Sequence, residues 1–162
     1  MQILLWKISD VTHRLEIVRD DGTRESVELA SRSFLVHDLL HYAVETQARL
    51  TGSFWGLLAS GRRLADVHES MTRPDPAARA ELMRSEPATT EAVVGALTNV
   101  IQERADAGVA IEGLRQLFEA QERELPDWLT PASVERVKEH MRRLRGRWRA
   151  TPFGGEMRLE FD

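Results

Sequence analysis

Over the first thirty residues apolar side chains recur at every second position: Ile3 and Leu5, then Leu15 and Ile17, then Val27 and Leu29. A period of two is the mark of a strand buried on one face. Asp20-Asp21-Gly22-Thr23 lies between the second and third runs, and Asp-Gly there favours a hairpin because the tight turn needs a positive φ. The pattern predicts an antiparallel three-stranded meander over about 2–8, 13–19 and 24–30. Polar Arg14, Glu16, Glu25 and Glu28 predict one solvated face, with helices covering the other.

After Ser33 the period becomes helical. Val36, Leu39, Leu40, Ala43, Gln47 and Leu50 share one side, and Gly52 is the expected stop. Ser53-Phe54-Trp55-Gly56-Leu57-Leu58-Ala59-Ser60-Gly61 reads as a short helix that is apolar nearly all round. Two helical pieces follow, at 62–72 and 77–85, broken by Arg73-Pro74-Asp75-Pro76 and by Pro87. A longer helix capped by Thr89 or Thr90 carries Val93, Leu97, Val100 and Ile101 toward a stop at Gly108. Ile111, Leu114, Leu117, Phe118 and Leu125 mark the next, ending at Pro126. Thr130-Pro131 opens the last, with a hydroxyl to cap it and a proline where a missing N–H costs nothing. Its stripe is Val134, Val137, Met141, Leu144 and Trp148. Alternation returns at 157–161 after Gly154-Gly155, as a strand that can join the sheet edge. The expected architecture is one α+β domain over 1–162, a meander plus a C-terminal strand packed against helices between about 34 and 149.

Composition narrows the chemistry. A chain of 162 residues that is 42% hydrophobic can bury a core. No run is long and apolar enough to span a membrane, and the opening Met1–Asp10 stretch is too short an apolar run for a signal peptide, so the expected location is cytoplasmic. With no cysteine, any metal must be held by His, Asp and Glu.

His37-Asp38-Leu39-Leu40-His41 supplies such residues, since histidines at i and i+4 project from one helix face toward a shared ion. Glu45 lies roughly 12 Å along the axis from His37, too far for direct ligation of the same ion. His68 or Glu69 is the expected completing ligand for a divalent metal such as zinc. The motif is similar to the H-E-x-x-H of zinc metallopeptidases, with Asp38 in place of the glutamate. That resemblance implies that Asp38 activates water or orients a ligand, although its shorter side chain reaches a metal-bound water less well. The stretch more loosely resembles the zinc-binding proteins of ubiquinone biosynthesis, which carry HDxxH and a glutamate after eleven further residues; here Ser53 stands at that position. The competing reading is a solvated polar helix edge on which His41 and Glu45 form a surface pair.

Two further stretches offer binding chemistry. Residues 136–149 carry seven basic side chains against Glu139 in a chain of net charge −4. Arg142, Arg143, Arg145, Arg147 and Arg149 could follow phosphates with Trp148 stacking on a base, or pair with the acidic helix at 112–124. Overall acidity weighs against a nucleic-acid partner. The segment at 53–61 is core, or the centre of a homodimer contact if exposed. The leading expectation is a cytoplasmic binding or interaction protein acting through its helical surface. The alternative is a His/carboxylate metal protein, hydrolytic in its chemistry, and the third is nucleic-acid binding through the arginine face.

Overall fold

The computed structural model describes residues 1–67 and 85–162. Three strands, β1 (Gln2–Lys7), β2 (Thr12–Val18) and β3 (Arg24–Ala30), form the expected meander, and β4 (Glu156–Glu160) joins its edge in the order β3-β2-β1-β4. All pairings are antiparallel, with Leu5 opposite both Leu15 and Met157, and Leu15 opposite Val27. The β2–β3 turn forms as its residues dictate: Gly22 has φ +83°, and Asp21 Oδ1 accepts the Thr23 N–H at 2.9 Å.

Helix α1 (Ser31–Ala48) packs on the inner sheet face, and α2 (Phe54–Ala59), α3 (Glu86–Ile101), α4 (Ala107–Ala120) and α5 (Pro131–Ala150) pack around it and on one another. Ile3, Leu5, Leu15 and Ile17 of the sheet meet Leu39, Leu40 and Ala43 of α1 in a core that continues through Val93, Leu97, Phe118, Met141 and Leu144. The helix α5 begins as predicted, with Thr130 and Ser133 forming a reciprocal cap. Lys7 Nζ donates to the Thr151 carbonyl at 2.9 Å and fastens the far end of α5 to the sheet.

Several boundaries differ from expectation. The first helix starts directly from β3 at Ser31, with no side-chain cap to announce it. Pro87 sits in the first turn of α3, and Thr89 and Thr90, expected as caps, are helical residues whose hydroxyls bond back to Ser85 and Glu86 carbonyls. Gly108 lies in the first turn of α4, its N–H held by the Asp106 cap at 2.7 Å. Of the expected 62–72 helix, Arg62 and Arg63 are not helical, residues 64–67 are, and 68–72 lie outside the described residues, as does nearly all of 77–85.

The larger difference concerns α1. It packs against β2, β3, α2, α3 and α5 at once, which encloses its middle turns. His41, Asp38 and Glu45 are buried, Glu45 completely, and the solvated-edge reading of this stretch is overturned. The apolar pairs Leu39-Leu40 and Ala43-Val44 wrap the helix too widely for one-sided burial.

The 53–61 stretch is core at Trp55 and Leu58. Gly56 permits α2 to fold back on the preceding loop, because a Cβ there would lie 2.3 Å from the Thr51 carbonyl oxygen. Gly95, at an exposed position inside α3, meets nothing within 4 Å. Gly56→Ala is therefore expected to destabilise by roughly 1–3 kcal/mol or more, whereas Gly95→Ala stabilises by about 1 kcal/mol. Urea midpoints of the two variants check this; equal shifts of the same sign would show that the Thr51 contact is not limiting.

Candidate metal centre

Helix α1 places His37 and His41 one turn apart, with their ring centroids 4.6 Å from each other. The third member comes from α3, where Glu91 is one turn beyond Pro87. Glu86 Oε1 accepts the Gly52 N–H at 2.6 Å and ties the start of α3 to the loop after α1. That tie brings Glu91 to the histidines. His37 Nε2 lies 3.1 Å from Glu91 Oε1, and His41 Nε2 lies 3.0 Å from Glu91 Oε2. One ligand atom from each of the three falls within 4.8 Å of the others. Zinc bonds of about 2.0–2.2 Å at tetrahedral angles put ligand atoms about 3.3 Å apart, so a small inward movement of these side chains suffices to close on an ion.

Behind the histidines stand two carboxylates. His41 Nδ1 is 3.0 Å from Glu45 Oε1. The other Glu45 oxygen accepts the Trp55 N–H at 2.8 Å and the Gly56 N–H at 3.4 Å, which satisfies the first turn of α2. A fully buried carboxylate is costly unless paired in this way. Asp38 Oδ1 is 3.6 Å from His37 Nδ1, the ring nitrogen opposite the one that faces Glu91. At that separation the two groups are in electrostatic contact without a hydrogen bond. Asp38 Oδ2 and His13 Nε2 lie 3.9 Å apart, both buried and both without a hydrogen-bond partner.

The electrostatics follow from these neighbours. Asp38 and Glu91 beside His37 raise its pKa to about 9. Burial disfavours the charged form of His41, but the hydrogen bonds it donates to Glu45 and Glu91 outweigh this and raise the pKa. Glu91 is held well below the usual carboxylate range by His37 and His41. Burial pushes His13 down, with the Asp38 charge offsetting only part of the effect. Protons thus hold the two imidazoles and Glu91 together in the positions a divalent cation would take.

Above the cluster is a cavity of about 850 Å³, bounded by β3, the first half of α1, Phe54 and residues 64–65. Glu25, grouped with the solvated residues in sequence, instead shares the inner face with Val27 and Leu29; it is held by Arg19 Nη2 at 2.5 Å and by the Leu64 N–H at 2.8 Å.

Of the expected ligands, the structure brings His37 and His41 together; His68 and Glu69 lie outside the described residues. Glu91 was missed because nothing in Thr89-Thr90-Glu91 distinguishes it from an ordinary first-turn acid. The arginine helix offers less. Lys138 pairs with Glu135 at 2.9 Å, and Arg142 and Arg143 pair with Glu139, so these ion pairs run along α5 and not to 112–124. Arg147 donates to the Arg158 carbonyl at 2.5 Å. Arg145 and Arg149 border a shallow groove of about 170 Å³, while Trp148 packs on the core beside His13 and Lys7. No helix among the described residues is long and apolar enough to cross a membrane. Comparisons of the chain with protein-family models, with curated proteins and with solved structures return no match.

The titrations set a pH window for the metal-free protein. Raising His37 from 6.5 to about 9 stabilises the fold fully below about pH 6.5, and this is lost as pH rises through about 9. Lowering Glu91 from 4.5 stabilises the fold above that value and is lost as pH falls. Chelator-treated protein is expected to melt highest between about pH 4.5 and 6.5, with Glu91→Gln flattening the alkaline decline. An unchanged alkaline limb in Glu91→Gln would contradict the coupling.

Proposed function

We propose that the protein is a metal-dependent enzyme that holds one divalent transition-metal ion, zinc foremost, on His37 Nε2, His41 Nε2 and a Glu91 oxygen. The observation that supports this is the convergence of three ligand groups from two helices, with the buried Glu45 behind His41. A carboxylate on the outer nitrogen of a metal-binding histidine fixes its tautomer and raises its basicity. Asp38 stands on the corresponding side of His37, closer to the cavity, as a nearby negative charge. Two histidines and one carboxylate suit zinc and, with open positions, iron.

Three protein ligands leave at least one position free, the arrangement of catalytic rather than structural sites. An ion there supplies a water acidic enough to act as a nucleophile near neutral pH, which supports hydrolysis as the reaction class. His41 and Glu45 stay dry and fixed, whereas His37 and Glu91 are partly exposed where substrate arrives. This reading takes precedence over an interaction module because Asp38, His41 and Glu45 are buried instead of forming a surface.

Untagged protein purified without chelator is expected to carry close to one equivalent of zinc, manganese or iron, and His37→Ala/His41→Ala none. Glu91→Ala is expected to lose the ion on dialysis, and Glu45→Gln to bind it roughly 10–100-fold more weakly. Elemental analysis and competition with a chromophoric chelator measure both. Metal-free wild type that takes up none of these ions would contradict the proposal.

A further inference from the structure

The cavity beside the metal cluster has a lining that discriminates among substrates. On β3 the inner-face positions are Glu25, Val27 and Leu29. On β1 and β2 the corresponding apolar residues Ile3, Leu5, Leu15 and Ile17 are at most 1% exposed, but Val27 is 37% exposed. An apolar sheet surface therefore runs outward from the core and forms one wall of the cavity. Phe34 and Phe54 face it from α1 and α2, and Leu64 closes another side.

The polar groups are few and one-ended. His37, Asp38, His41 and Glu91 stand at one end, the carboxylate of Glu25 is already engaged by Arg19 and the Leu64 N–H, and Ser26 and Ser33 add the only hydroxyls among the described lining residues. No lysine or arginine lines the cavity among the described residues. A phosphate ester, nucleotide or other polyanion would find no cation there except the ion itself. A sugar would leave its hydroxyls against Val27, Leu29 and the phenylalanines without partners, which is costly. The volume of about 850 Å³ lies within the range of pockets that enclose drug-sized organic molecules.

The ion at the polar end selects the head group. It would be the one positive charge among the groups at this end, since Asp38 and Glu45 stand behind the two histidines, so a head group is selected by direct coordination of an oxygen to the ion and not by a net positive field.

We propose that this site takes an amphipathic organic acid or its ester-derived product, with one carboxylate oxygen on the metal held by His37, His41 and Glu91, and a hydrocarbon body along Val27, Leu29, Phe34 and Phe54. The inference rests on the metal reading and adds the substrate class: a molecule with a single oxygen head and an apolar body. Under hydrolysis, the metal-bound water adds to an acyl carbon, the bond from that carbon to its leaving group breaks, and the leaving group takes up a proton. The carboxylate product has the composition described.

The test uses full-length protein loaded with one equivalent of zinc and titrated calorimetrically at pH 7 with octanoate, butyrate, octan-1-ol and inorganic phosphate. Each buried methylene contributes about 0.8 kcal/mol, so octanoate is expected to bind on the order of 100-fold tighter than butyrate. Octan-1-ol is expected to bind at least tenfold more weakly than octanoate, and phosphate not to displace octanoate. Val27→Asp, at an already exposed strand position, is expected to weaken octanoate at least tenfold without changing zinc affinity. If that variant does not fold, Val27→Thr keeps the shape, adds a hydroxyl and is expected to weaken octanoate about threefold. Equal affinities for butyrate and octanoate in zinc-loaded protein would overturn the apolar-body assignment and leave the metal reading standing. Octanol binding as tightly as octanoate would overturn the carboxylate head. Chain-length discrimination in a protein that takes up no zinc would also overturn the proposal, and the zinc titration would identify the metal reading as the part that failed.

Discussion

Glu45 carries the arrangement on which the rest of the site depends. Its carboxylate is completely buried, and burial of a charge is tolerable only where donors surround it. One oxygen takes the Nδ1 side of His41; the other takes two backbone N–H groups at the start of α2. A single side chain thereby fixes the ring of His41, the position of α2 against α1, and the wall that Phe54 contributes to the cavity. Neither half of this role is separable from the other. If Glu45 moved to release α2, His41 would lose the partner that sets its tautomer, and Nε2 would no longer be presented to Glu91.

The same constraint explains why the polar side of α1 is not a surface. The middle of the helix is enclosed by the sheet, α2, α3 and α5, so the polar groups buried there must find partners inside the protein. Each does so by facing another titratable group: His41 with Glu45 and Glu91, His37 with Asp38 and Glu91, and Asp38 near His13. Such a concentration of titratable groups at the edge of an apolar cavity, with His37, His41 and Glu91 all shifted, is characteristic of functional sites. For stability alone, a well-packed apolar set of similar volume would serve as well or better.

How legible this was varies along the chain for identifiable reasons. The meander and β4 were readable because period two and Asp-Gly are local signals, and α5 because Thr130-Pro131 states its start. The beginnings of α1 and α3 were obscured: Ala30 makes no side-chain cap, and Pro87 was taken for a breaker although the first helical turn accommodates it. The His37–His41 spacing was visible, since two ligands on one helix leave a pattern. Glu91 was not, because its place beside them depends on how α3 packs, which no spacing encodes. The distance argument against Glu45 as a direct ligand agrees with where it lies, but its second role, capping α2, needed the tertiary contact to be seen.

The account turns on whether an ion occupies the space between His37, His41 and Glu91. Anomalous diffraction on either side of the zinc absorption edge, from crystals of the zinc-loaded protein, tests this most directly. The expected result is a single strong peak about 2.0–2.2 Å from His37 Nε2, His41 Nε2 and a Glu91 oxygen, with Glu45 still bonded to His41 Nδ1. A zinc peak elsewhere on the molecule, with the two histidines still closed on Glu91 through protons, would contradict it.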